Sequence, residues 1–296
     1  MKVPEQYRAS GRITREVRDV VTASARPGVG LVDLCERVEA EIVKRGGNPA
    51  FPTGIGVNHV TAHYAPQDDD GSVLNELDVV KVDFGVHVDG YVTDTSTTLT
   101  FNPEHELMIE ATKSALDAAI ETVKRDRRVG EVGREILRIA TRFGFKTIQN
   151  LTGHTVDRFV VHAGKSIPNL YVPNMPSLKE GEVFAIEPFL TLQSAAGYVV
   201  DSPSVTIFSV AARKKTGDEA MDEFATRVWD ERKALPFTPR WYAADYGRAN
   251  LDRMLKELVR RRVVRSYPTL VEASGKPVAQ FEHTMALDGD ELVLLT

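Results

Sequence analysis

The run "VDFGVHVDGYVTDTS" at residues 82–96 constrains the fold more than any other stretch of the chain. Its Asp89-Gly90 pair is a two-residue hairpin signal, because glycine tolerates the positive φ that such turns require. With that pair as the loop, Val88 faces Tyr91, Gly85 faces Asp94 and Asp83 faces Ser96. Paired residues share a face, as do residues two apart on one strand, so Asp83 and Asp94 project from the same side as diagonal neighbours. Val82, Phe84, Val86 and Val88 take the opposite face, which is free to pack on helices. Gly85, across from Asp94, is expected to leave empty space on the acidic face. Strands disfavour aspartate and burial disfavours its charge, so the pair needs a shared proton or a bound cation unless this face is solvated.

Other polar residues stand alone in apolar runs. Glu187 is the only charge in "VFAIEPFL", and the proline after it cannot donate to a sheet ladder. Glu282 sits similarly in "VAQFEHTMAL", with His283 beside it, and His154 follows a glycine in "LTGHTVDRF". Singly, each glutamate reads as an ion-pair partner and the histidine as a hydrogen-bonded core residue. Together, several carboxylates and one imidazole suit two divalent first-row ions sharing carboxylates rather than a closed structural zinc site, which would be thiolate-rich. Two such ions activate water and polarise a carbonyl oxygen, which is hydrolytic chemistry. His63, in "NHVTAHYAP", and His162, in "VVHAGKSIP", lie in loop-like stretches able to present an imidazole to a peptide; a plain surface position is the alternative for each. His59, His87 and His105 have no functional argument, although His87 is a candidate for the acidic face of the hairpin.

Around these residues the pattern is α+β. Ile13, Val17, Val20 and Val21 predict one face of a helix over residues 7–25, ended by "RPGVG". Leu31, Leu34, Cys35, Val38 and Ile42 predict a second, stopping at Gly46-Gly47. The one cysteine therefore reads as a core residue, and a disulfide framework is excluded. Residues 50–101 read as strands and loops, "EHELMIEATKSALDAAIETVKR" and "VGEVGREILRIATRFGF" as helices, and "FKTIQNLTGHTV", "VFAIEPFLTL" and "YVVDSPSVTIFSV" as strands. This order of helices, strands, helices and strands predicts a substantial antiparallel sheet. Residues 211–268 read as a helical insertion between parts of one catalytic domain, 1–210 and 269–296. Their "RRRVVR" run reads as a solvated helix end, and a net charge of -5 argues against a general nucleic-acid binder. With neither an apolar leader nor a membrane-length run in the sequence, a cytoplasmic protein is expected.

"AHYAP", "VDFGVHVDGYVTDTS", "GHTV", "VHAGKSIP", "FAIEPF" and "QFEHT", in this order over nearly the whole chain, resemble the type II methionine aminopeptidases of peptidase family M24 in their short archaeal form. The resemblance implies the "pita-bread" fold, a curved antiparallel sheet backed by helices with two related halves, and a winged-helix-like insertion of no established nucleic-acid role. It implies five ligands for two divalent ions of cobalt, manganese, iron(II) or zinc. Asp94 and Glu282 would bridge both, Asp83 would complete one, and His154 with Glu187 the other. The implied reaction removes the initiator methionine from nascent polypeptides when the next residue is small. Glu187 would take and return a proton, His162 would face the scissile carbonyl oxygen, and His63 the scissile amide. Phe51, Gly54, Phe189 and Tyr267 match positions lining the methionine pocket. Thr152 departs from the family's asparagine or serine before "GH", which bears on fine substrate preference. A monomer acting on nascent N-termini is expected, with ribosome association left open and neither membrane nor specific nucleic acid as a partner. Two rivals are a proline-directed peptidase of the same fold and a non-catalytic ribosome- or RNA-associated relative. The first usually carries a large domain before the catalytic one, for which Asp83 comes too early; the second typically loses metal ligands, and all five are present here.

Overall fold

A computed structural model describes residues 3–125, 127–289 and 291–296. The hairpin forms as its pattern predicts: Val79–Val88 pairs antiparallel with Tyr91–Thr100, with Val88 opposite Tyr91, Gly85 opposite Asp94 and Asp83 opposite Ser96. Asp89 and Gly90 both take positive φ. Val80, Val82, Phe84 and Val86 are fully buried against Val17, Val21, Leu34, Cys35, Val38 and Ile42 of two helices, Glu5–Ser24 and Leu31–Lys44. Burying each such aliphatic side chain is worth about 1.5–3 kcal/mol, so this one face accounts for much of the first half's cohesion. The buried side of the first helix is partly polar and differs from the predicted aliphatic stripe. Ser10 donates to the Tyr91 carbonyl (2.8 Å) and the Thr14 hydroxyl meets that of Thr93 (2.8 Å), fastening the helix across the hairpin.

The second half repeats the arrangement. Helices Glu106–Arg125 and Val129–Arg142 bury Ala111, Ala115, Val123, Val132 and Ile136 against Phe184, Ile186, Leu190, Met285 and Leu287. Two sheets meet there. Val183–Ile186 pairs with His283–Asp288 and Thr152–Val156, whereas Phe189–Leu192 pairs with Val278–Gln280 and Phe145–Thr147. The run "VFAIEPFLTL", expected as a strand, is therefore broken, and so is the run "VAQFEHTMAL". The breaks coincide: Ile186 faces His283 and Phe189 faces Gln280, so residues 187–188 and 281–282 drop out of the ladder side by side. Pro188 supplies the reason on one strand, having no N–H to give.

Hydroxyls join the halves. Thr95 Oγ1 donates to the Glu282 carbonyl (2.8 Å), and Thr284 Oγ1 both accepts from Asp94 N and donates to the Asp94 carbonyl, at 2.7 Å each.

Helices Glu219–Arg232 and Arg248–Arg260 form a core of their own from Met221, Phe224, Val228, Leu251, Leu255 and Leu258, which also takes in Phe208 and Val210 of the Val199–Val210 strand. The strand Val264–Glu272 runs through residue 268 without interruption and pairs with Val199–Val210. In the arginine run, Arg260 and Arg261 pair with Glu257 of the same helix. Among the described residues no helix is long and apolar enough to cross a membrane.

Candidate metal centre

The broken ladders and the hairpin converge on one cavity of ≈ 240 Å³. Asp83 and Asp94 enter from the hairpin, His154 from Thr152–Val156, and Glu187 and Glu282 from the two gaps between sheets. A strand gap suits a ligating side chain, because the residue is freed from the alternating pleat and can turn toward the cavity. His63, His162, Phe51, Phe189 and Tyr267 line the same space, so every predicted site residue except Gly54 reaches it. Gly54 is not among the lining residues; it stands beside Asp83 on the same face of the sheet, as its direct partner in the ladder. The expected empty space at Gly85 is also corrected: a side chain there would begin 2.4 Å from the Phe51 ring, which fills it. The sequence offered no signal for Asn150, Leu151, Ile207 and Pro236, which line the wall together with Ala62, Thr152 and Val161; Pro236 comes from the helical stretch and reaches the cavity only through the fold.

Burial without compensation defines the chemistry. His154 Nε2 lies 3.5 Å from Asp94 Oδ2 and 3.7 Å from Glu187 Oε1. Ligand atoms of Asp94, His154 and Glu282 fall within 4.8 Å of one another. Yet Asp83 Oδ1, Asp94 Oδ1 and both Glu282 carboxylate oxygens have no hydrogen-bond partner among the described residues. Burial pushes Asp83 up to about 7. Burial, with Asp83 as a neighbouring charge, holds Asp94 well above the usual carboxylate range. Glu187 and Glu282 rise for the same reasons, burial first and then the charge of Asp94. His154 falls to about 3 through burial and the neighbouring His162, whose ring centre is 4.4 Å away, so its imidazole is neutral and able to ligate. Orphaned acceptor oxygens beside a neutral imidazole, with no thiolate, fit a divalent cation of the borderline class.

Gln280, which the sequence reading did not single out, lies between the acids. Its Nε2 donates to Glu187 Oε2 at 3.1 Å and reaches Asp83 Oδ2 at 3.4 Å. Its only sequence signal was a third polar residue in the "VAQFEHT" run. His63 takes a positive φ of 62°, an uncommon conformation for a residue other than glycine, and its ring meets Tyr267 edge-on at 5.9 Å. Burial lowers the pKa of His63, and it lowers His162 to about 4.

The metallopeptidase family M24 model matches residues 5–214. The chain is 38% identical to the methionine aminopeptidase of Pyrococcus horikoshii over 288 residues, 97% of each chain. It belongs to the methionine aminopeptidases of family M24. The fold agrees: the Thermotoga maritima methionine aminopeptidase superposes with a TM-score of 0.71 at 21% identity, covering 100% of this chain and 98% of that one. A thermophilic Arx1 superposes at 0.83 with 17% identity, covering 98% and 89%. These likenesses establish the pita-bread architecture, and the family's metal dependence matches the unsatisfied carboxylates of the cavity.

Proposed function

We propose that this methionine aminopeptidase removes the N-terminal methionine of polypeptides whose second residue is small, using two divalent cations held by Asp83, Asp94, His154, Glu187 and Glu282. The observation behind this reading is the pairing, in one small cavity, of orphaned acidic oxygens with an apolar wall of Phe51, Phe189, Ile207 and Tyr267. A thioether suits such a wall, since sulfur gains from contact with aromatic rings. Asp94 Oδ1 and both Glu282 oxygens lack a hydrogen-bond partner among the described residues and would be available to the cations, and Asp83 stands diagonally across the hairpin from Asp94. Bound cations would lower the pKa of water and polarise the substrate carbonyl.

The chain's own groups do the rest. Glu187 is held by Gln280 on Oε2, and burial lifts its pKa, which suits a carboxylate that takes a proton and returns it to the leaving amine. His162, neutral above about pH 4, serves the carbonyl oxygen of the scissile bond; His63, fixed by its backbone and by Tyr267, serves the amide. The ≈ 240 Å³ cavity is below the usual range for drug-sized ligands, about 300–1,000 Å³, and matches one side chain and the bond that follows it. The expected working form is a monomer acting on nascent N-termini.

The test strips the protein of metal, restores manganese, iron(II), cobalt or zinc singly, and follows a Met-Ala peptide and an Ala-Pro peptide by mass spectrometry. Metal-dependent loss of one methionine, absent in Asp94→Ala, is expected. Cleavage of the Ala-Pro peptide alone would transfer the chain to the proline-directed relatives.

A further inference from the structure

The helical stretch contributes more to the cavity than Pro236. Arg232, the last residue of the Glu219–Arg232 helix, donates from Nε to the Pro236 carbonyl (3.0 Å). Its Nη2 donates to the carbonyls of Pro49 (2.8 Å) and Ala50 (3.4 Å). Its guanidinium stacks 4.4 Å from the Trp241 ring centre. Pro236 lines the cavity, and so does Phe51, the residue after Ala50. One guanidinium thus holds two cavity walls, Phe51 and Pro236, that are 185 residues apart in sequence, at a separation set by its rigid fork. It makes no ion pair among the described residues, so all its directed bonds go to backbone carbonyls. The Phe51 segment is held on its other side by the hairpin, where Ala50 N donates to the Gly85 carbonyl (2.8 Å) and the ring fills the glycine's place. Arg240, the neighbouring arginine, differs: its partners are the Glu39 and Glu36 carboxylates, Cys35 and the Pro66 carbonyl, none of which lines the cavity.

We infer that Arg232 is a positioning residue for substrate selection, fixing the spacing between the Phe51 and Pro236 walls and hence the shape of first side chain the cavity admits. This rests on the methionine-removal reading above. A planar fork held by three carbonyls and an aromatic face resists displacement, whereas a shorter side chain would let the two walls separate. Larger and branched first residues should then gain relative to methionine, and the chemical step should be spared because Arg232 touches none of the acidic or imidazole groups named above.

The test compares wild type, Arg232→Ala, Arg232→Lys and Arg240→Ala on metal-loaded protein, with peptides beginning Met, Leu, Ile or Phe before Ala. For Arg232→Ala, KM for the methionine peptide should rise about tenfold with kcat little changed, and the preference for methionine over isoleucine and phenylalanine should fall by a similar factor. Arg232→Lys, which keeps the charge but loses the fork, should fall between; it decides the matter if the alanine variant does not fold. Arg240→Ala should lower Tm without altering preference. Calorimetric affinity of each variant for free methionine, leucine and phenylalanine provides a second readout independent of turnover. Unchanged preference in both readouts for the Arg232 variants, with only Tm reduced, overturns the inference. A wild type that cuts none of these peptides overturns the methionine-removal reading instead, and the calorimetric series then decides the role of Arg232 alone.

Discussion

Two buried acidic regions of the molecule meet opposite fates. Glu39, at the joint between the Leu31–Lys44 helix and the Pro239–Trp241 turn, is fully answered: Arg240 Nη2 reaches both its oxygens (2.9 and 3.0 Å), Trp241 Nε1 donates at 2.8 Å and Thr53 N at 3.2 Å. In the cavity, Glu282 is buried more deeply still and neither of its oxygens has a hydrogen-bond partner among the described residues. A buried carboxylate is either paired or kept from ionising, and an unpaired one whose pKa burial pushes up marks a place open to a cation. Paired acids belong to architecture; orphaned ones belong to function.

That contrast can be broken by mutation. Asp94→Ala should show the largest effect on turnover, with peptidase activity falling to the background of the metal-free protein, while its Tm without metal stays level or rises because a buried like charge is gone; a lowered Tm with activity retained would reverse the assignment. Glu39→Ala should do the opposite. Removing the buried partner of Arg240, which then keeps only the exposed Glu36 at 3.5 Å, should cost about 3–5 kcal/mol in chemical denaturation, with kcat per folded molecule preserved.

Titration sharpens the same distinction. Asp83's raised pKa means that its contribution to the stability of the metal-free fold is complete below its unfolded value and is lost as pH climbs through about 7. A cation reverses that, because it binds ionised carboxylates and displaces their protons. The Tm gained on adding manganese should therefore increase from about pH 5 to about pH 8. His154, already neutral across that window, adds nothing to the slope. Scanning calorimetry with and without metal measures it, and a flat or falling gain would show that the acids are not the groups engaged. The smallest effect should come from Gln280→Leu, which removes a donor to Glu187 and Asp83: a loss of about 10–100-fold in manganese affinity by isothermal titration, with the fold intact.

How far the sequence reached differs element by element. The hairpin was legible to the residue, because register follows from a two-residue turn and a period of two, both local properties. Cys35 was legible as core for the same reason, from helical spacing alone. The breaks at Glu187 and Glu282 are not legible in the same way, since an apolar run carries no mark of the point where its partner changes; only Pro188 hints at one. Gln280 escaped notice because a neutral amide in a mixed run looks like any surface residue until the acids it joins are known. The buried hydroxyls of the first helix show the same limit: Ser10 and Thr14 are buried because Tyr91 and Thr93 lie opposite them.

By itself, then, the sequence determined the acidic face of the hairpin, the helices that back it and, through its ordered motifs, the family. Those depend on turn chemistry, periodicity and residue order, which are written within a few neighbours. Only the tertiary structure decided that two strand breaks fall side by side to bring Glu187 and Glu282 to Asp94 and His154, that Phe51 rather than empty space stands beside Gly85, and that Arg232 spans two walls of the cavity. Each of these is a meeting of segments far apart in the chain, fixed by packing and by the need to satisfy buried polar groups, which local pattern cannot express.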